Sequence, residues 1–333
     1  MNKPNLSIII PVYNEEEVLA VLFTRLYAVL DAMAEPYEII FVNDGSHDRS
    51  AAMLAAQFRA RPDVTRVVVF NGNFGQHMAI LAGFEHVRGS IAITLDADLQ
   101  NPPEEIPRLV AAIRAGHDYV GTIRRKRNDT AFRRVASRMM NALRERITHI
   151  HMTDQGCMLR AYDRALVDTL NACREVNTFI PALAYTFAAT PTEIEVEHEA
   201  RYAGESKYSL YKLVRLNFDL VTGFSIVPLQ WFSLIGTLLS LFSGALFVLL
   251  LVRRFIFGAE VEGVFTLFAL QFFLTGIVLF GVGLMGEYIG RIQQEVRNRP
   301  RYRISTVLED DSATAAGRLP GVPSASPLVE AVR

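Results

Sequence analysis

Three polar side chains with the chemistry of a metal site follow directly after a short apolar segment. The segment Ile91–Leu95 is apolar and rich in β-branched residues, which predicts a short buried strand that ends at Asp96, Asp98 and Gln100. Alternate residues of an extended chain point the same way, and carboxylate and amide oxygens are suitable ligands for Mg²⁺ or Mn²⁺. We therefore predict a divalent metal at Asp98 and Gln100, supported by Asp96. The alternative is a solvated acidic loop that caps the next helix.

The elements that must position this cluster alternate between strands and helices. Short β-rich segments and longer segments of helical periodicity follow one another, which is typical of an α/β fold with a mostly parallel sheet covered on both faces. The predicted strands are Leu6–Val12, Tyr37–Val42, Thr65–Phe70, Ser90–Leu95 and Tyr119–Thr122, and the predicted helices are Glu15–Met33, Asp48–Arg61, Gln76–His86 and Glu104–Ala115. Ligands bind such sheets beyond the carboxyl ends of the strands, where the acidic cluster would lie.

Two more polar turns follow predicted strands and would lie at the same edge of the sheet. Pro11 and Tyr13, after the first strand, could frame a flat base, and Asp44, after the second, could accept hydrogen bonds from a base or a ribose. Three such turns at one edge favour a nucleotide-diphosphate site, although each turn alone also fits a helix cap or a plain turn. The predicted nucleotide-binding residues are Pro11, Tyr13, Asn14, Glu15, Asp44 and Asp96.

The composition excludes one large class of partners. The formal net charge is −1 at pH 7, so no domain-wide basic excess exists to bind nucleic acid, and we predict none as a partner. Cys157 and Cys173 lack the spacing of a metal site and are interpreted as reduced thiols. His77, His149 and His151 also lack such a spacing, and we interpret them as core or surface histidines.

Two uncharged apolar segments in the last third of the chain predict a membrane hairpin. At about 1.5 Å per residue, Phe224–Val252 and Val264–Gly286 each exceed the ~30 Å thickness of a hydrocarbon core. The preceding segment Ser206–Gly223 is amphipathic, so we expect it to lie among membrane lipids at the bilayer surface. Arginine and lysine are more frequent outside the hairpin than in its connecting loop, which predicts that both termini are cytoplasmic.

The predicted organisation therefore has five parts. They are a cytoplasmic α/β domain at 1–203, a membrane-interface helix at 204–223, transmembrane helices at 224–252 and 264–286, and a basic juxtamembrane segment with a disordered tail at 287–333. The tail from Ser305 onward is rich in Ala, Pro, Ser and Gly, which favours disorder. The N-terminus shows no signal peptide.

Longer motifs carry a resemblance to a known family. PVYNE, NDGS and DADLQNPPEE resemble the family-two glycosyltransferases of GT-A fold, and within them the polyprenyl-phosphate sugar transferases related to dolichol-phosphate mannose synthase. The segments that narrow the resemblance are NFGQHMAILAGF, DQGCMLRAYDR, GESKYS, EGVFTLFA, GEYIGRI and RNRPRY. The similarity extends from about Leu6 to Tyr302. Gly72 and His47 depart from it, because such enzymes often carry Arg and a small polar residue at these positions.

The resemblance implies an enzyme that moves 4-deoxy-4-formamido-L-arabinose from a UDP-sugar donor to undecaprenyl phosphate, with inversion and with Mg²⁺ or Mn²⁺. It also implies a bacterial inner-membrane location and a role in lipid A modification and polymyxin resistance. Asp98 and Asp154 are the predicted catalytic residues, and Asp154 would orient the donor sugar or the acceptor from a polar turn. Two alternatives stay open: another donor such as UDP-glucose, and a non-catalytic membrane scaffold that keeps a nucleotide-sugar pocket. Whether the chain forms a homo-oligomer is also left open.

Basic residues supply candidates for binding the acceptor phosphate. The planar fork of arginine suits phosphate because it donates two hydrogen bonds at once. The resemblance carries the Arg and Ser of an R-x-x-x-S pattern onto Arg133 and Ser137, within the segment GTIRRKRNDTAFRRVASRMMN. The predicted acceptor-phosphate residues are Arg124, Arg133, Ser137, Arg201 and Lys207. The alternative for the basic segment is a solvated helical face.

Overall fold

The computed structural model describes residues 4–124, 152–154, 156–173, 179–199, 227–257, 264–297 and 299–310. The chain divides into two compact units. The first contains Met1–Arg134, Ile150–Lys207 and Arg299–Arg333, and the second contains Val135–His149 and Tyr208–Asn298. The α/β unit therefore takes in chain from both sides of the apolar segments. The predicted interface helix at 204–223 lies outside the described residues.

The first unit is built on a sheet that has eight strands among the described residues. The strands are β1 Leu6–Val12, β2 Tyr37–Asn43, β3 Thr65–Phe70, β4 Ile91–Thr94, β5 Tyr119–Arg124, β6 Arg160–Asp163, β7 Pro191–Val196 and β8 Ile304–Leu308. Their order across the sheet is β7-β5-β6-β4-β1-β2-β3-β8. The parallel pairs β1–β2, β1–β4 and β2–β3 form its centre, as predicted for the first four strands.

Alternating side chains of β1 explain why helices cover both faces of the sheet. Ile8 and Ile10 share one core with the buried leucines of α1 (Leu19–Ala32), which recur at helical spacing. Ile9 is buried against α3 on the other face, where a Cβ at Gly83 would lie 2.3 Å from Ile9 Cγ2. The other helices are α2 Ser50–Ala60, α3 Gln76–Glu85, α4 Ile106–Arg114, α5 Arg164–Ala172 and α6 Ile180–Phe187, and a 3₁₀ turn spans Pro103–Glu105.

Six of the eight described strands run in the same direction, as expected of a mostly parallel sheet, and β6 and β8 run in the opposite direction. β6 pairs antiparallel with β4 and β5, and β8 pairs antiparallel with β3, whereas β5 and β7 are parallel. The chain leaves β5 and enters β6 at the same edge of the sheet, so β6 must run in the opposite direction to β5. β8 corrects the prediction that the tail is disordered from Ser305. This strand pairs with β3, and its residues Val307 and Leu308 are partly buried.

The second unit contains two long apolar helices. α7 spans Val227–Phe257 and α8 spans Val264–Val296, so both end later than the predicted segments. They approach closely at Gly281 of α8, where a Cβ would lie 2.0 Å from Cζ of Phe232 on α7. A larger residue at position 281 would require the ring of Phe232 to move.

The apolar surface of these helices is largely exposed. Leu241 on α7 and Leu279 on α8 are 68% and 65% exposed. Within the described part of the chain, one stretch, Phe273–Gly290, is long and apolar enough to cross a membrane, with a mean hydropathy of 1.6. α7 contributes a shorter apolar stretch at Leu229–Leu239.

Candidate active site

One edge of the sheet brings together most of the described residues that the sequence marks as functional. β1, β2 and β4 are mutually parallel, so the polar turns that follow them meet at this edge, as expected. β5 and β7 run in the same direction as β4, because β6 is antiparallel to β4 and to β5. The residues after β7 and the turn before β6 therefore reach the same edge. We call it the carboxyl edge.

The turns after β1 and β2 are joined by hydrogen bonds. The Asn14 backbone N–H donates to Ser46 Oγ at 3.1 Å, and Asn14 Oδ1 accepts from the His47 backbone N–H at 2.8 Å. The Glu15 backbone N–H donates to Ser50 Oγ at 2.9 Å. Asn14 has a positive φ of 56°, which turns the chain out of a helical path. α1 begins at Leu19 instead of the predicted Glu15, after a turn in which the Val18 backbone N–H donates to the Glu15 carbonyl at 3.0 Å.

Tyr13 is the exposed aromatic side chain of these turns. It is 42% exposed and lies edge-on to the ring of His47, with ring centroids 6.5 Å apart. Pro11 precedes it in β1 and is partly exposed. Pro11 and Tyr13 therefore both offer exposed surface at the carboxyl edge, where the sequence predicts that they frame a base.

Asp44 is buried and holds the loop that follows β3. Its carboxylate accepts the backbone N–H groups of Phe74 at 2.6 Å and Gly75 at 2.8 Å. Burial raises the pKa of Asp44, and these two hydrogen bonds oppose that rise. The backbones also touch at Gly45, where a Cβ would lie 2.4 Å from the carbonyl carbon of Gly72. Asp44 therefore orders the Asn71–Gly75 loop.

The predicted metal cluster has the alternating exposure expected from the sequence. Asp96, Asp98 and Gln100 are partly exposed, whereas Ala97 and Leu99 are buried. The alternating exposure does not come from an extended strand, as predicted, because β4 ends at Thr94 and the cluster lies in a turn. In this turn Leu99 has a φ of 58°, and the Gln100 backbone N–H donates to Asp98 Oδ1 at 3.1 Å. Asp96 Oδ1 accepts from Gln76 Nε2 at 2.5 Å.

Arg124 and Asp154 form an ion pair with each other. Arg124 Nε lies 2.6 Å from Asp154 Oδ2, and Arg124 Nη2 lies 2.8 Å from Asp154 Oδ1. Asp154 is 4% exposed and also accepts the Gly156 backbone N–H at 3.0 Å. The sequence predicted Arg124 as a phosphate ligand and Asp154 as a catalytic acid, without a link between them. The structure makes them one bidentate unit, whose geometry fixes the carboxylate.

Arg160 is a functional candidate that the sequence analysis missed. It is fully buried, and its guanidinium donates to the backbone carbonyls of Asp154 and Cys157, each at 2.8 Å, and to the Tyr119 hydroxyl. These contacts hold the turn that carries Asp154. The available signal was an arginine inside the apolar segment CMLRAY, which is unusual for a buried strand.

His198 is a second missed candidate. It lies two residues after β7, at the carboxyl edge, and its Nδ1 is buried without a hydrogen-bond partner. Burial lowers its pKa, the charge of Arg124 lowers it further, and the charges of Asp154 and Asp98 act in the opposite direction. The charges of Asp154 and Asp98 therefore both act on His198. Its position just after a parallel strand could have drawn attention to it.

Of the three histidines considered from the sequence, only His77 lies within the described residues. The ring of His77 packs edge-on against Phe179, with centroids 5.1 Å apart, as expected for a core histidine. His149 and His151 lie outside the described residues. Both cysteines are free, as predicted.

The donor atoms at the carboxyl edge fit a divalent cation. In the described ranges no group of three His, Cys, Asp or Glu side chains already surrounds a metal-sized space. The cluster nevertheless supplies the carboxylates of Asp96 and Asp98 and the amide of Gln100, and His198 adds an unpartnered ring nitrogen. The oxygen ligands among these groups suit Mg²⁺ or Mn²⁺.

The remaining acceptor-phosphate candidates lie outside the described residues. They are Arg133, Ser137, Arg201 and Lys207. The last described residue before Arg201 is Glu199, and its backbone N–H donates to the carbonyl of Gln100 at 2.9 Å. Glu199 is therefore bonded directly to the predicted metal cluster.

Comparisons with known proteins agree with this arrangement. A family model described as glycosyl transferase family 2 matches residues 7–170. A protein from Yersinia enterocolitica named undecaprenyl-phosphate 4-deoxy-4-formamido-L-arabinose transferase is 52% identical over 304 residues, covering 91% of this chain and 93% of that protein. Proteins with the same name from Edwardsiella ictaluri and Aeromonas hydrophila are 50% and 47% identical, each over 91% of this chain and over 94% and 93% of their own lengths.

Solved structures of lower similarity were also found. A glucosyl-3-phosphoglycerate synthase from Mycobacterium tuberculosis, in complex with Mn²⁺, UDP-glucose and phosphoglyceric acid, is 17% identical. Its TM-score is 0.46, and the match covers 66% of this chain and 78% of that chain.

The α/β sheet with its acidic carboxyl edge defines the class of protein as a GT-A-type glycosyltransferase. The chain belongs to glycosyl transferase family 2, and within it to the group formed by these curated relatives.

Proposed function

We propose that this glycosyltransferase moves 4-deoxy-4-formamido-L-arabinose from its UDP donor to undecaprenyl phosphate. The observation that carries the proposal is the similarity to relatives named for this activity over 91% of the chain. An intact Asp96, Asp98 and Gln100 cluster supports a catalytic chain rather than a scaffold. The product would be a lipid-linked amino sugar for lipid A modification.

In this proposal the donor nucleotide binds across the turns after β1 and β2. Tyr13 and Pro11 contact the base, and Asp44 accepts hydrogen bonds from the base or ribose. The exposure of Tyr13 and the ordered contact between Asp44 and the Asn71–Gly75 loop support this assignment. Asn14 and Glu15 contribute by fixing the backbone of the same turns.

The diphosphate of the donor lies at the acidic cluster. Asp98 and Gln100 would hold Mg²⁺ or Mn²⁺, with Asp96 and His198 as supporting ligands. When bound, the cation stabilises negative charge on the departing diphosphate. Asp96 is positioned for this by Gln76, and Gln100 by its contact with Glu199.

Transfer is a single displacement with inversion at the anomeric carbon. An oxygen of the acceptor phosphate forms the new bond to that carbon, and the bond from the same carbon to UDP breaks. A phosphate monoester with a second pKa of about 6 is largely dianionic near pH 7, so no strong general base is required. Asp154, fixed by Arg124 and by the turn that Arg160 holds, orients the reacting groups. Arg133, Ser137, Arg201 and Lys207 bind the acceptor phosphate.

The apolar helices place this reaction at a membrane. Both α7 and α8 span the inner membrane, the interface helix lies along its surface, and both termini are cytoplasmic. The exposed apolar side chains of both helices and the stretch Phe273–Gly290 support this topology. The active site would then face the cytoplasm, which supplies nucleotide sugars.

The proposal is tested by measuring UDP release from purified full-length protein with undecaprenyl phosphate and Mn²⁺. We expect release with UDP-4-deoxy-4-formamido-L-arabinose and little with UDP-glucose. Release with UDP-glucose alone would change the assigned donor. No lipid-dependent release from a broad panel of donors would favour a scaffold.

A further inference from the structure

The chain after α8 returns to the first unit as a structural strap. We define the C-terminal strap as Tyr302–Glu309, which contains β8. Its register with β3 pairs Phe70 with Ile304 and Val67 with Leu308. The strap is therefore an integral outer strand of the sheet that carries the active site.

The first residues of the strap contact the loop after β3. The Asn71 backbone N–H donates to the Arg303 carbonyl at 3.1 Å. The ring of Tyr302 stacks on Phe70, with centroids 4.9 Å apart and an interplanar angle of 15°. Phe70 in turn meets Phe74 edge-on at 5.6 Å. Three aromatic rings thus connect the strap to the far end of the Asn71–Gly75 loop.

That far end is the part of the loop that binds Asp44. The backbone N–H groups of Phe74 and Gly75 both donate to the Asp44 carboxylate. A displaced loop would remove these two donors and leave a buried carboxylate with fewer partners, which is unfavourable. The position of Asp44 therefore depends on the loop, and the loop is packed against the strap.

The other end of the strap is fixed by charge. Glu309 Oε2 lies 2.7 Å from Arg66 Nη2 and 2.9 Å from Arg88 Nη2. Arg66 is buried and also pairs with Glu38 at 3.2 Å. Because both ends of the strap are fixed, its register on β3 is strongly specified, and the ring of Tyr302 is held against Phe70.

We propose that the C-terminal strap is a positioning element for the donor nucleotide, acting from Tyr302 through Phe70 and Phe74 on Asp44. The inference rests on the proposed function, because it takes Asp44 as part of the nucleotide site. Tyr302 is a positioning residue in this account and does not touch the nucleotide. Its effect is therefore confined to donor binding and leaves lipid binding unchanged.

The test compares the full-length variants Tyr302→Ala, Tyr302→Leu and Tyr302→Phe, with Ser305→Ala as a matched control on an exposed strap position. Aromatic pairs contribute enough to predict a roughly three- to tenfold rise in KM for the UDP-sugar in the Ala and Leu variants. We expect kcat and KM for undecaprenyl phosphate within about twofold of wild type. The Phe variant keeps the stacked ring and should behave as wild type.

Hydrogen exchange supplies a readout that does not depend on turnover. The Ala and Leu variants should exchange faster at the amides of Phe74 and Gly75, and the other strands of the sheet should remain protected. Unchanged exchange at these amides would overturn the proposal even if the enzyme is active. Uniformly faster exchange in the Leu variant would also overturn it, since that indicates general destabilisation. Failure of wild-type transfer would refute the proposed function and leave the exchange result decisive for the strap.

Discussion

At the scale of single residues, several predicted site residues are held in place by hydrogen bonds within the protein itself. Sequence patterns identified Asp44 and Asp98 because acids after apolar strands are recognisable, and Asp154 because it lies in a polar turn at the start of a motif. Partners of Asp44 and Asp154 come from distant segments, as with Asp154 and Arg124 or Asp44 and Phe74. No local pattern encodes such contacts, so the pairing could not be predicted. His198 was missed for the same reason, since its neighbours come from other strands.

Two glycines in contact give a matched prediction at this scale. Gly45→Ala should destabilise the protein by at least about 1 kcal/mol, because Gly45 has a φ of 67° and the new Cβ would clash with Gly72. Gly72→Ala should be nearly neutral, because a Cβ there meets nothing within 4 Å. Thermal unfolding of both variants measures the difference. Equal losses of stability would contradict the close contact between the two loops.

Two histidines with lowered pKa values predict acid sensitivity. The pKa values of His77 and His86 are lowered from 6.5 to about 4, mainly by burial and then by the charges of Arg160 and Arg66, respectively. Between those values the unfolded chain binds protons at both sites and the folded chain does not, so the free energy of unfolding decreases as the pH falls from 6.5 to 4.

The measurement for this prediction is the unfolding midpoint at pH 7 and at pH 4.5. Wild type should lose more stability over this interval than His77→Gln or His86→Gln, each of which removes one titrating group. Equal losses of stability in all three proteins would show that His77 and His86 do not cause the acid sensitivity.

At the scale of elements, hydrophobic periodicity was sufficient for the central strands and their helices. Short apolar segments separated by helical ones predicted β1 to β5 and α1 to α4 with small errors at their ends. Periodicity does not encode strand direction, so the antiparallel β6 was not found. Periodicity also failed to predict β8, because this strand has only five residues and is followed by a segment rich in Ala and Pro. Only pairing with β3 makes that short strand stable.

A single arginine on α1 joins two of these elements. Arg25 donates to both oxygens of Glu104, beside the metal cluster, and to both oxygens of Glu199, at distances of 2.8–3.0 Å. Arg25→Ala should loosen the segment that carries His198. We expect faster hydrogen exchange at the Glu199 amide and at least a severalfold weaker activation by Mn²⁺.

The control for this prediction is Arg114→Ala. Arg114 makes one ion pair with Glu35, at 2.5 Å, and its side chain is 52% exposed. Surface pairs of this kind contribute about 0–1 kcal/mol, so little effect is expected. If Arg25→Ala behaved like this control in both exchange and Mn²⁺ activation, the bridging role would be refuted.

At the scale of the whole molecule, the two apolar helices are inserted between segments of the glycosyltransferase unit. Met1–Arg134 and Ile150–Lys207 before the helices, and Arg299–Arg333 after them, belong to that unit. The sequence predicted the helices from hydropathy but treated the chain after them as a separate tail. Long apolar segments are evident in sequence, whereas the return of a five-residue strand to the sheet depends on tertiary contacts.

The proposed topology predicts opposite labelling on the two sides of the membrane. In a cysteine-free background, Val261→Cys between α7 and α8 should react with a membrane-impermeant thiol reagent in intact spheroplasts. Ser305→Cys, on the exposed side of the strap, should react only after the membrane is opened. The reverse pattern would invert the topology and place the active site on the wrong side for cytoplasmic nucleotide sugars.

The most direct test of the central claim is the mass of the lipid product. Purified full-length protein is incubated with UDP-4-deoxy-4-formamido-L-arabinose, undecaprenyl phosphate and Mn²⁺, and both lipid and nucleotide are quantified. We predict undecaprenyl phosphate carrying one sugar, equal in amount to the UDP formed, and no product from a folded Asp98→Ala variant. UDP formed without a glycosylated lipid, or glycosylated lipid at wild-type levels from Asp98→Ala, would contradict the account.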